Sequence, residues 1–520
     1  MAVPEEIRKV ERPPNTVVID NMRNGPHRYA VRERAGVKYV PGRNPQPVNG
    51  RIIGHIIDGR FVPVSEQTAE TGPEMLSYGS SALVRSVSKD LLEDLLKVYP
   101  AVDAYRIMAM ASLKVIKPGI ADSRFATHYN RTFISQYYPG IGMSKNTICS
   151  FLQLLGQDGR KRHQFYAERI KSVSETHHVA IDGTLKQDNS KVNDLSAYSY
   201  KARRKGTRDV SVIYAYDVER MEPICAEVFP GNCIDSMAYS EFIRDNDIRK
   251  GIIIADKGFP PSRISKELEE RPDLHFLTPI KRNDSRIDDN RMLEFEGVLA
   301  DVDGHIQYKK RQIRGGRFLY SFRDTRKAML EEADYLSRVE RSRNYSFERF
   351  QEKDHTFGVI VFESDQDLPA RTIYDCYEDR WLLELVFNTY KNDEGLDRTR
   401  VQGDFSVFGS EFVNYVATVI TCRILRKIRN LGLLEDRSYG DLMDDLSSAW
   451  RRIDSPKQPS FDDGCWVHTL KYVFDELFQL GLCTPPAKPE PKKRGRPRKN
   501  PDAEPQVKRP RGRPRKNPLP

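Results

Sequence analysis

Cysteine is scarce in this sequence, and its spacing is that of neither a disulfide framework nor a zinc site. The 520 residues include seven cysteines, an odd number, and no two of them form a C-x-x-C pair. We therefore expect reduced thiols in a cytoplasmic protein without structural zinc. The N-terminus lacks the pattern of a signal peptide, and no run of ~18 apolar residues is present. The best candidate for a membrane span, Phe412 to Ile428, is predicted to be a buried helix because polar residues interrupt it at Asn414, Arg423, Arg426 and Lys427.

Net charge is absent from most of the chain. Residues 485–520 hold 13 of the 84 Lys and Arg and 3 of the 74 Asp and Glu, which gives this tail a net charge of +10. The rest of the chain therefore has 71 residues of each sign. Any surface of the body that binds a nucleic acid must consequently be local.

The basic tail contains a repeated motif. The eight residues from Arg494 to Pro501 recur letter for letter from Arg511 to Pro518. Each copy has an Arg-Gly-Arg-Pro core that resembles the AT-hook, in which proline extends the backbone and the arginines lie in the narrow minor groove of A/T-rich DNA. The alternative is a generic polybasic tail for solubility or localisation, but the exact duplication of eight residues favours the hook. We expect the tail to be disordered until it binds, and we predict that DNA is bound by Arg494, Gly495, Arg496, Pro497, Arg511, Gly512, Arg513 and Pro514.

One predicted helix combines an apolar body with a charged stripe. Its Y-x2-R-x3-E-x6-K spacing, at 100° per residue, places four side chains within a sector of roughly 60°: Tyr377, Arg380, Glu384 and Lys391. Most of the remaining circumference is apolar, so the helix is predicted to be buried except for this stripe. Three groups that can bind phosphate oxygens around one carboxylate suit a metal site beside a polyanion. The alternative is a solvated helix face on which Arg380 pairs with Glu384.

Two apolar runs upstream of this helix each lead to an aspartate. His178 to Ile181 precedes Asp182, and Gly251 to Ala255 precedes Asp256. Runs rich in β-branched residues predict buried strands, and acids at the ends of such strands point into the crevice where ligands bind. Either aspartate alone is more simply explained as a helix N-cap. Together with Glu384, the two provide three hard oxygen ligands for a pair of divalent cations.

This set of residues resembles that of the DDE transposases of bacterial insertion sequences, in the branch marked by the Y-R-E-K signature. The matching motifs are A-I-D-G-T with Asp182, A-D-K-G-F with Asp256, and the helix that carries Glu384. A further match is the P-G-N-x-x-D turn from Pro230 to Asp235. The resemblance covers roughly residues 175–430.

The resemblance implies an α/β protein with a ribonuclease H-like catalytic core. We expect this core at 175–400, interrupted by a β-rich insertion at about 283–370. The sequence also predicts four further regions: a small β unit or partly ordered arm at 1–75, a helical region at 80–172, a C-terminal helical region at 404–482 and a disordered tail at 485–520. A helix-turn-helix at Gly140-Ile141-Gly142 would make the region at 80–172 a binding domain for the ends of the element. The alternative is a helical packing domain.

The resemblance also implies the chemistry and the partners. Asp182, Asp256 and Glu384 would hold two Mg²⁺ ions, with Mn²⁺ as an alternative, for strand cleavage and strand transfer. Arg380 and Lys391 would steady phosphates, and Tyr377 would hydrogen-bond a backbone phosphate. The implied partners are double-stranded DNA, as terminal inverted repeats and as target, and a second copy of the chain in a homodimer on DNA. No membrane is implied, and the expected location is the nucleoid in the bacterial cytoplasm.

Two other functions are compatible with the same residues. One is a catalytically silent DNA-binding protein derived from such an enzyme, although its acids are intact. The other is a ribonuclease H-like nuclease that cuts without joining. Terminal inverted repeats beside the gene would favour the transposase over both.

Overall fold

The computed structural model describes most of the chain before the basic tail. The described residues are 3–22, 25–38, 44–63, 75–188, 190–199, 206–233, 235–254, 262, 264–300, 305–339, 341–378, 398–434 and 437–485.

The first described region is a small antiparallel sheet. A short helix, α1 (Glu5–Arg8), precedes four strands in the order β1-β2-β3-β4: β1 (Thr16–Asp20), β2 (Tyr29–Lys38), β3 (Gln46–Ile57) and β4 (Arg60–Pro63). The predicted Asp58-Gly59 turn joins β3 to β4, and both residues have positive φ, 47° and 75°. A two-residue hairpin turn of type I′ needs positive φ at both positions.

Helices dominate the next region. After β5 (Met75–Ser77) come α2 (Gly79–Val87), α3 (Lys89–Val98), α4 (Ala101–Ile116), α5 (Phe125–Tyr129), α6 (Ile134–Tyr137), α7 (Lys145–Gln157) and α8 (Gly159–Ile170). The helix α7 begins where the sequence predicts, because the Ser144 side chain accepts a hydrogen bond from the Thr147 amide. The helix before the glycine turn, α6, has only four residues.

A ten-stranded sheet forms the centre of the protein. Its strands are β6 (His178–Gln187), β7 (Ala197–Tyr198), β8 (Arg208–Asp217), β9 (Glu222–Pro230), β10 (Gly251–Ile254), β11 (Leu274–Pro279), β12 (Gly297–Val298), β13 (Ile306–Gln312), β14 (Phe318–Asp324) and β15 (Val359–Ser364). The order is β12-β13-β14-β15-β11-β10-β6-β8-β7, and β9 also pairs with β8. The strands β6, β10 and β11 are parallel, and the other pairings are antiparallel.

The segment predicted as a β-rich insertion continues this sheet. Its strand β15 pairs antiparallel with β11, with Leu277 opposite Ser364. The helices of the central region are α9 (Asp235–Asp245), α10 (Ser265–Glu270), α11 (Ser285–Asp289), α12 (Thr325–Val339), α13 (Phe347–Lys353) and α14 (370–378).

The C-terminal region contains a long helix and a second small sheet. Its elements are α15 (Asp404–Asn430), α16 (Tyr439–Ser447), β16 (Trp450–Arg452), β17 (Trp466–Val467) and α17 (Lys471–Gln479). Short strands interrupt the region 404–482, which the sequence predicts to be helical. Trp466 and Val467 pair with β16, which in turn pairs with β5, and His468 has a positive φ of 48° that separates this strand from the helix.

The helix α15 lies in the interior of the protein. By length and composition it could cross a membrane, but 78% of its most apolar window is buried. Two glycines bring its backbone against that of α7. A Cβ added at Gly156 would lie 1.6 Å from the carbonyl oxygen of Phe405, and one at Gly409 would lie 2.0 Å from that of Leu152. The packing of α7 on α15 supports the packing interpretation of 80–172, and DNA-end binding there stays a prediction.

A buried ionic cluster joins the helices to the sheet. Glu222, at the start of β9, accepts hydrogen bonds from Arg169 of α8 at 2.7 Å and from Arg423 of α15 at 2.5 Å. Arg423 also binds Asp90 of α3 at 2.7 and 2.8 Å. Burial by itself raises the pKa of Glu222, but the hydrogen bond from Arg423 and the charge of Arg169 outweigh it and lower the pKa to about 2.

Candidate active site

Asp182 lies within a strand of the central sheet. The sequence predicts that the strand ends near Gly183, but β6 continues to Gln187 because its antiparallel pairing with β8 continues that far. Asp182 stands opposite Tyr214 in this pairing, and its side chain is partly exposed. One carboxylate oxygen, Oδ1, accepts a hydrogen bond from the Gly183 amide at 2.8 Å.

The register of the parallel strands relates Asp182 to the second predicted acid. Ile252 pairs with His178, Ile253 with Val179 and Ile254 with Ala180. In the sequence, Asp182 and Asp256 each come two residues after the last of these pairs, Ala180 with Ile254. Asp256 itself lies outside the described residues.

Of the predicted helical stripe, the structure describes only Tyr377. It lies in α14, and its ring packs on that of Phe362 with centroids 4.9 Å apart. Arg380, Glu384 and Lys391 lie outside the described residues, as does the whole tail from residue 486 with both Arg-Gly-Arg-Pro cores. The convergence of the three acids therefore stays a prediction.

Tyr377 lines a pocket of about 760 Å³ between the insertion and α14. The cations of this pocket are mostly paired with acids. Arg282 binds Glu331 at 2.8 and 2.9 Å, and Lys327 binds Glu378 at 3.1 Å. Although burial by itself lowers the pKa of Lys327, the hydrogen bond to Glu378 raises it above its usual value. This pocket is therefore less suited to an anion than its lysines and arginine alone suggest.

A buried histidine connects β6 with α14, and the sequence analysis missed it. The Nε2 atom of His178 lies 3.0 Å from Sγ of Cys376, and its Nδ1 atom lies 2.5 Å from Oε1 of Glu219. A proton on Nδ1 shared with Glu219 leaves Nε2 to accept the thiol hydrogen. His178 is on the strand of Asp182, and Cys376 directly precedes Tyr377. This adjacency to both motifs was the available signal in the sequence.

One further group among the described residues could converge on an ion. It comprises His177, Asp217 and Glu219, whose ligand atoms all lie within 4.8 Å of one another. Asp217 instead accepts a hydrogen bond from His177 at 2.9 Å, and both oxygens of Glu219 bind His178. The group lies at the start of β6: Asp217 pairs with Val179, three residues before Asp182, which is roughly 10 Å in an extended strand. It is therefore not the predicted metal site.

Comparison with known proteins identifies the central region. Residues 174–409 match the family model described as "Transposase DDE domain". The chain carries a transposase DDE domain. No curated protein matches the chain significantly. Among solved structures, the chain resembles the piggyBac transposase in the cryo-EM structure of its synaptic complex with hairpin DNA, at 10% identity and a TM-score of 0.39, over 71% of this chain and 80% of that one.

The DDE domain includes the central sheet and all three predicted acids in its sequence. Its matched range begins just before β6 and ends in the first turns of α15. The insertion strands β12 to β15 lie within it. The N-terminal sheet, the helices α1 to α8 and the tail lie outside it.

Proposed function

We propose that this protein is a DDE transposase of a bacterial insertion sequence, in the Y-R-E-K branch, which cuts DNA at the ends of its element and joins them to target DNA. The match of residues 174–409 to the transposase DDE domain carries the proposal. Further support comes from the order of Asp182, Asp256 and Glu384 within that range, with Tyr377, Arg380 and Lys391 around the last.

We further propose that the catalytic core is ribonuclease H-like. The long strands β6, β8 and β9 pair antiparallel in that order. On the other side of β6 lie β10 and then β11, and both are parallel to β6. This is the arrangement that we expect of such a core. It puts the strand of the first acid beside the strand that leads to the second, as two carboxylates that share cations require.

Of the three proposed metal ligands, Asp182 is the one that the structure describes, and its position suits a ligand of a divalent cation. Asp182 presents a partly exposed carboxylate on a central strand, two residues beyond the last described pair with β10. Asp182, Asp256 and Glu384 would hold two Mg²⁺ or Mn²⁺ ions, which when bound activate the attacking hydroxyl and stabilise charge on the leaving oxygen. The hydrogen bond from the Gly183 amide to Oδ1 helps to orient the Asp182 carboxylate.

The remaining residues of the stripe would position the DNA. Arg380 and Lys391 would hold non-transferred phosphate oxygens, and the Tyr377 hydroxyl would hydrogen-bond a backbone phosphate. The packing of the Tyr377 ring on Phe362 supports this role, because it fixes the direction of the hydroxyl. Cleavage and joining are the same phosphoryl transfer with different nucleophiles, so one site can perform both.

The proposed partners are the terminal inverted repeats, the target DNA and a second copy of the chain assembled on DNA. The tail would add two AT-hooks that hold A/T-rich minor groove through Arg496 and Arg513. A bacterial protein with these partners would act at the nucleoid.

The proposal is tested by incubating the purified full chain with Mg²⁺ and DNA that contains the sequences flanking its own gene. We expect specific nicks at the element ends and joined products with a target plasmid, both absent for Asp182→Ala. Cleavage without joined products would make the protein a nuclease. Specific end binding without either product would make it a silent DNA-binding protein.

A further inference from the structure

A pocket between the N-terminal helices and the C-terminal region has no role in the site described above. Its volume is about 1160 Å³. Its walls come from α2, from the segment around α6, and from residues 453–459 and 478–485. The last described residue, Pro485, belongs to this lining. The basic tail therefore begins at the pocket.

Every charged side chain that lines the pocket is a cation, namely Arg85, Lys89 and Lys457. Within the described ranges, none of the three forms an ion pair with a carboxylate. Arg85 instead donates a hydrogen bond to the Tyr138 hydroxyl at 3.4 Å and lies 5.8 Å from the ring centroid of Tyr137. Because the chain before residue 485 has no net charge, three such cations on one pocket are a local concentration of positive charge.

Two acids that neighbour lining residues in the chain are already paired with other cations. Asp90, beside Lys89 in the chain, is bound by Arg423. Asp454, beside Ser455, is bound by Arg452 at 2.9 Å.

The other ionisable groups of the lining stay neutral near pH 7. Burial raises the pKa of the Tyr78 and Tyr137 hydroxyls above their usual values. Burial likewise raises the pKa of the Cys483 thiol to about 11. Among the described residues, the lining thus has three positive charges and no negative charge.

We propose that this pocket binds one unpaired nucleotide of a DNA strand, with a phosphate near Arg85, Lys89 and Lys457 and the base against the rings of Tyr137 and Phe478. The inference rests on the proposed function in one respect, that DNA is the polyanion this protein meets. Cations beside partly exposed aromatic rings are the combination that binds single strands. The concave shape favours an extruded nucleotide, because the convex surface of a duplex cannot enter a pocket of this size.

The position of the pocket agrees with this ligand. The tail, which holds the net positive charge of the chain, starts at the pocket wall, so the chain tethers DNA held by the tail to the protein at this pocket. An unpaired nucleotide near a held duplex is available wherever a strand has been cut or a base pair has opened.

The test measures binding of a short 5′-phosphorylated oligothymidine by fluorescence anisotropy, in EDTA, so that the result does not depend on metal or cleavage. The protein is the full chain with Arg496→Ala and Arg513→Ala, which removes the hooks from the comparison. Arg85→Gln, Lys89→Gln and Lys457→Gln together should weaken binding at least tenfold. They should also reduce the slope of log affinity against log salt by roughly 0.7, the contribution of the one phosphate that the protein no longer neutralises.

A matched variant removes the same charge elsewhere. Lys250→Gln, Lys266→Gln and Lys471→Gln together should weaken binding less than threefold. Because Arg85 also packs on tyrosine rings, the pair Lys89→Gln and Lys457→Gln is measured as well, and should still give several-fold weakening with unchanged thermal unfolding.

Tyr137→Leu should weaken binding of the oligothymidine but not of an abasic strand of equal charge. Three outcomes would each overturn the assignment. The pocket and control triple variants could lose the same affinity for the oligothymidine, or the pocket triple could lose as much affinity for a blunt duplex of the same length. Tyr137→Leu could also weaken binding of the abasic strand equally. Loss of strand cleavage by Asp182→Ala, or its absence in the wild type, bears on the proposed function alone.

Discussion

The thiol of Cys376 hydrogen-bonds the buried imidazole of His178, with Sγ 3.0 Å from Nε2. This hydrogen bond ties the helix that carries Tyr377 to the strand that carries Asp182. Two elements predicted to supply the catalytic residues are therefore held together by a pair of side chains outside the recognised motifs.

Replacement of Cys376 should separate its positioning role from its packing. Cys376→Val leaves Nε2 of His178 buried without a partner, which costs about 1–3 kcal/mol, and should slow strand cleavage at saturating DNA. Cys376→Ser keeps a donor and should retain most of the rate. Single-turnover rates in the folded fraction, with unfolding measured in urea, provide the check. If both variants cleave at the wild-type rate, the hydrogen bond has no part in positioning.

Replacement of Asp182 should abolish strand cleavage and leave binding of the element ends largely unchanged. Asp182→Asn keeps the shape of the side chain but replaces a carboxylate with a neutral amide, which a site of hard oxygen ligands for Mg²⁺ does not tolerate. We expect the cleavage rate to fall by several orders of magnitude and end binding to change less than threefold. Asp194→Asn, a change at an acid on the loop after β6, serves as the control. Near wild-type cleavage by Asp182→Asn would remove this residue from the active site.

The buried Glu222 should make stability depend on acid pH. Its folded pKa of about 2 lies below its unfolded value near 4.3, so ionisation stabilises the fold above the unfolded pKa. This stabilisation is lost as the pH falls from about 4.5 towards 2. Glu222→Gln leaves Arg169 and Arg423 without a carboxylate and should cost about 3–5 kcal/mol at pH 7.

The measurement is denaturant unfolding of wild type and Glu222→Gln between pH 7 and pH 3. The difference between the two proteins should shrink as the pH falls below about 4.5, because the acid contribution then disappears from the wild type only. A difference that is constant over this range would contradict the assigned pKa.

The close crossing of α7 and α15 should exclude any side chain larger than hydrogen. Gly156→Ala places a methyl group against the carbonyl of Phe405, so the helices must move apart, at a cost of about 1–3 kcal/mol or more. Gly440→Ala in α16, where the nearest atom is 3.8 Å from the added carbon, should instead stabilise the protein slightly, by about 0.5–1 kcal/mol. Thermal unfolding of the two variants gives the comparison, and similar shifts would argue against the crossing.

The two hook cores should give the tail its base preference. Arg496→Ala with Arg513→Ala should weaken binding to A/T-rich duplex more than to G/C-rich duplex, because only the narrow groove attracts the paired arginines. Lys508→Ala with Arg509→Ala removes the same charge between the cores and should weaken both duplexes equally. Equal loss from the hook variant on both duplexes would identify a nonspecific basic tail.

Much of the central sheet could be predicted because its strands are apolar and rich in β-branched or aromatic residues. The run at 251–254 and the strand at 274–279 appear where β-branched and aromatic residues cluster. The Asp58-Gly59 turn and the Ser144 cap were predictable because their chemistry is local. Local chemistry of this kind survives in any surrounding fold.

Interactions between distant segments were not predictable. The sequence around Trp466–Val467 predicts the start of a helix, but these residues form β17. This strand forms because β17 pairs with β16, which in turn pairs with β5, and no periodic pattern in the sequence indicates either pairing. Likewise, the sequence shows Arg423 only as a polar residue within an apolar helix and does not predict its ion pairs. Its role depends on Glu222 and Asp90, some 200 and 330 positions away, which no local pattern relates to it.

The pairing of β15, a strand of the insertion, with β11 affects the design of shortened forms of this protein. A catalytic domain cut back by deleting residues 283–370 would end at β11 with its backbone amides and carbonyls open to solvent, now that β15 no longer covers them. An exposed strand edge of this kind recruits other chains and promotes aggregation. A soluble minimal enzyme would therefore need a substitute strand in the register of Leu277 with Ser364, or charged residues placed along β11 to repel a second copy.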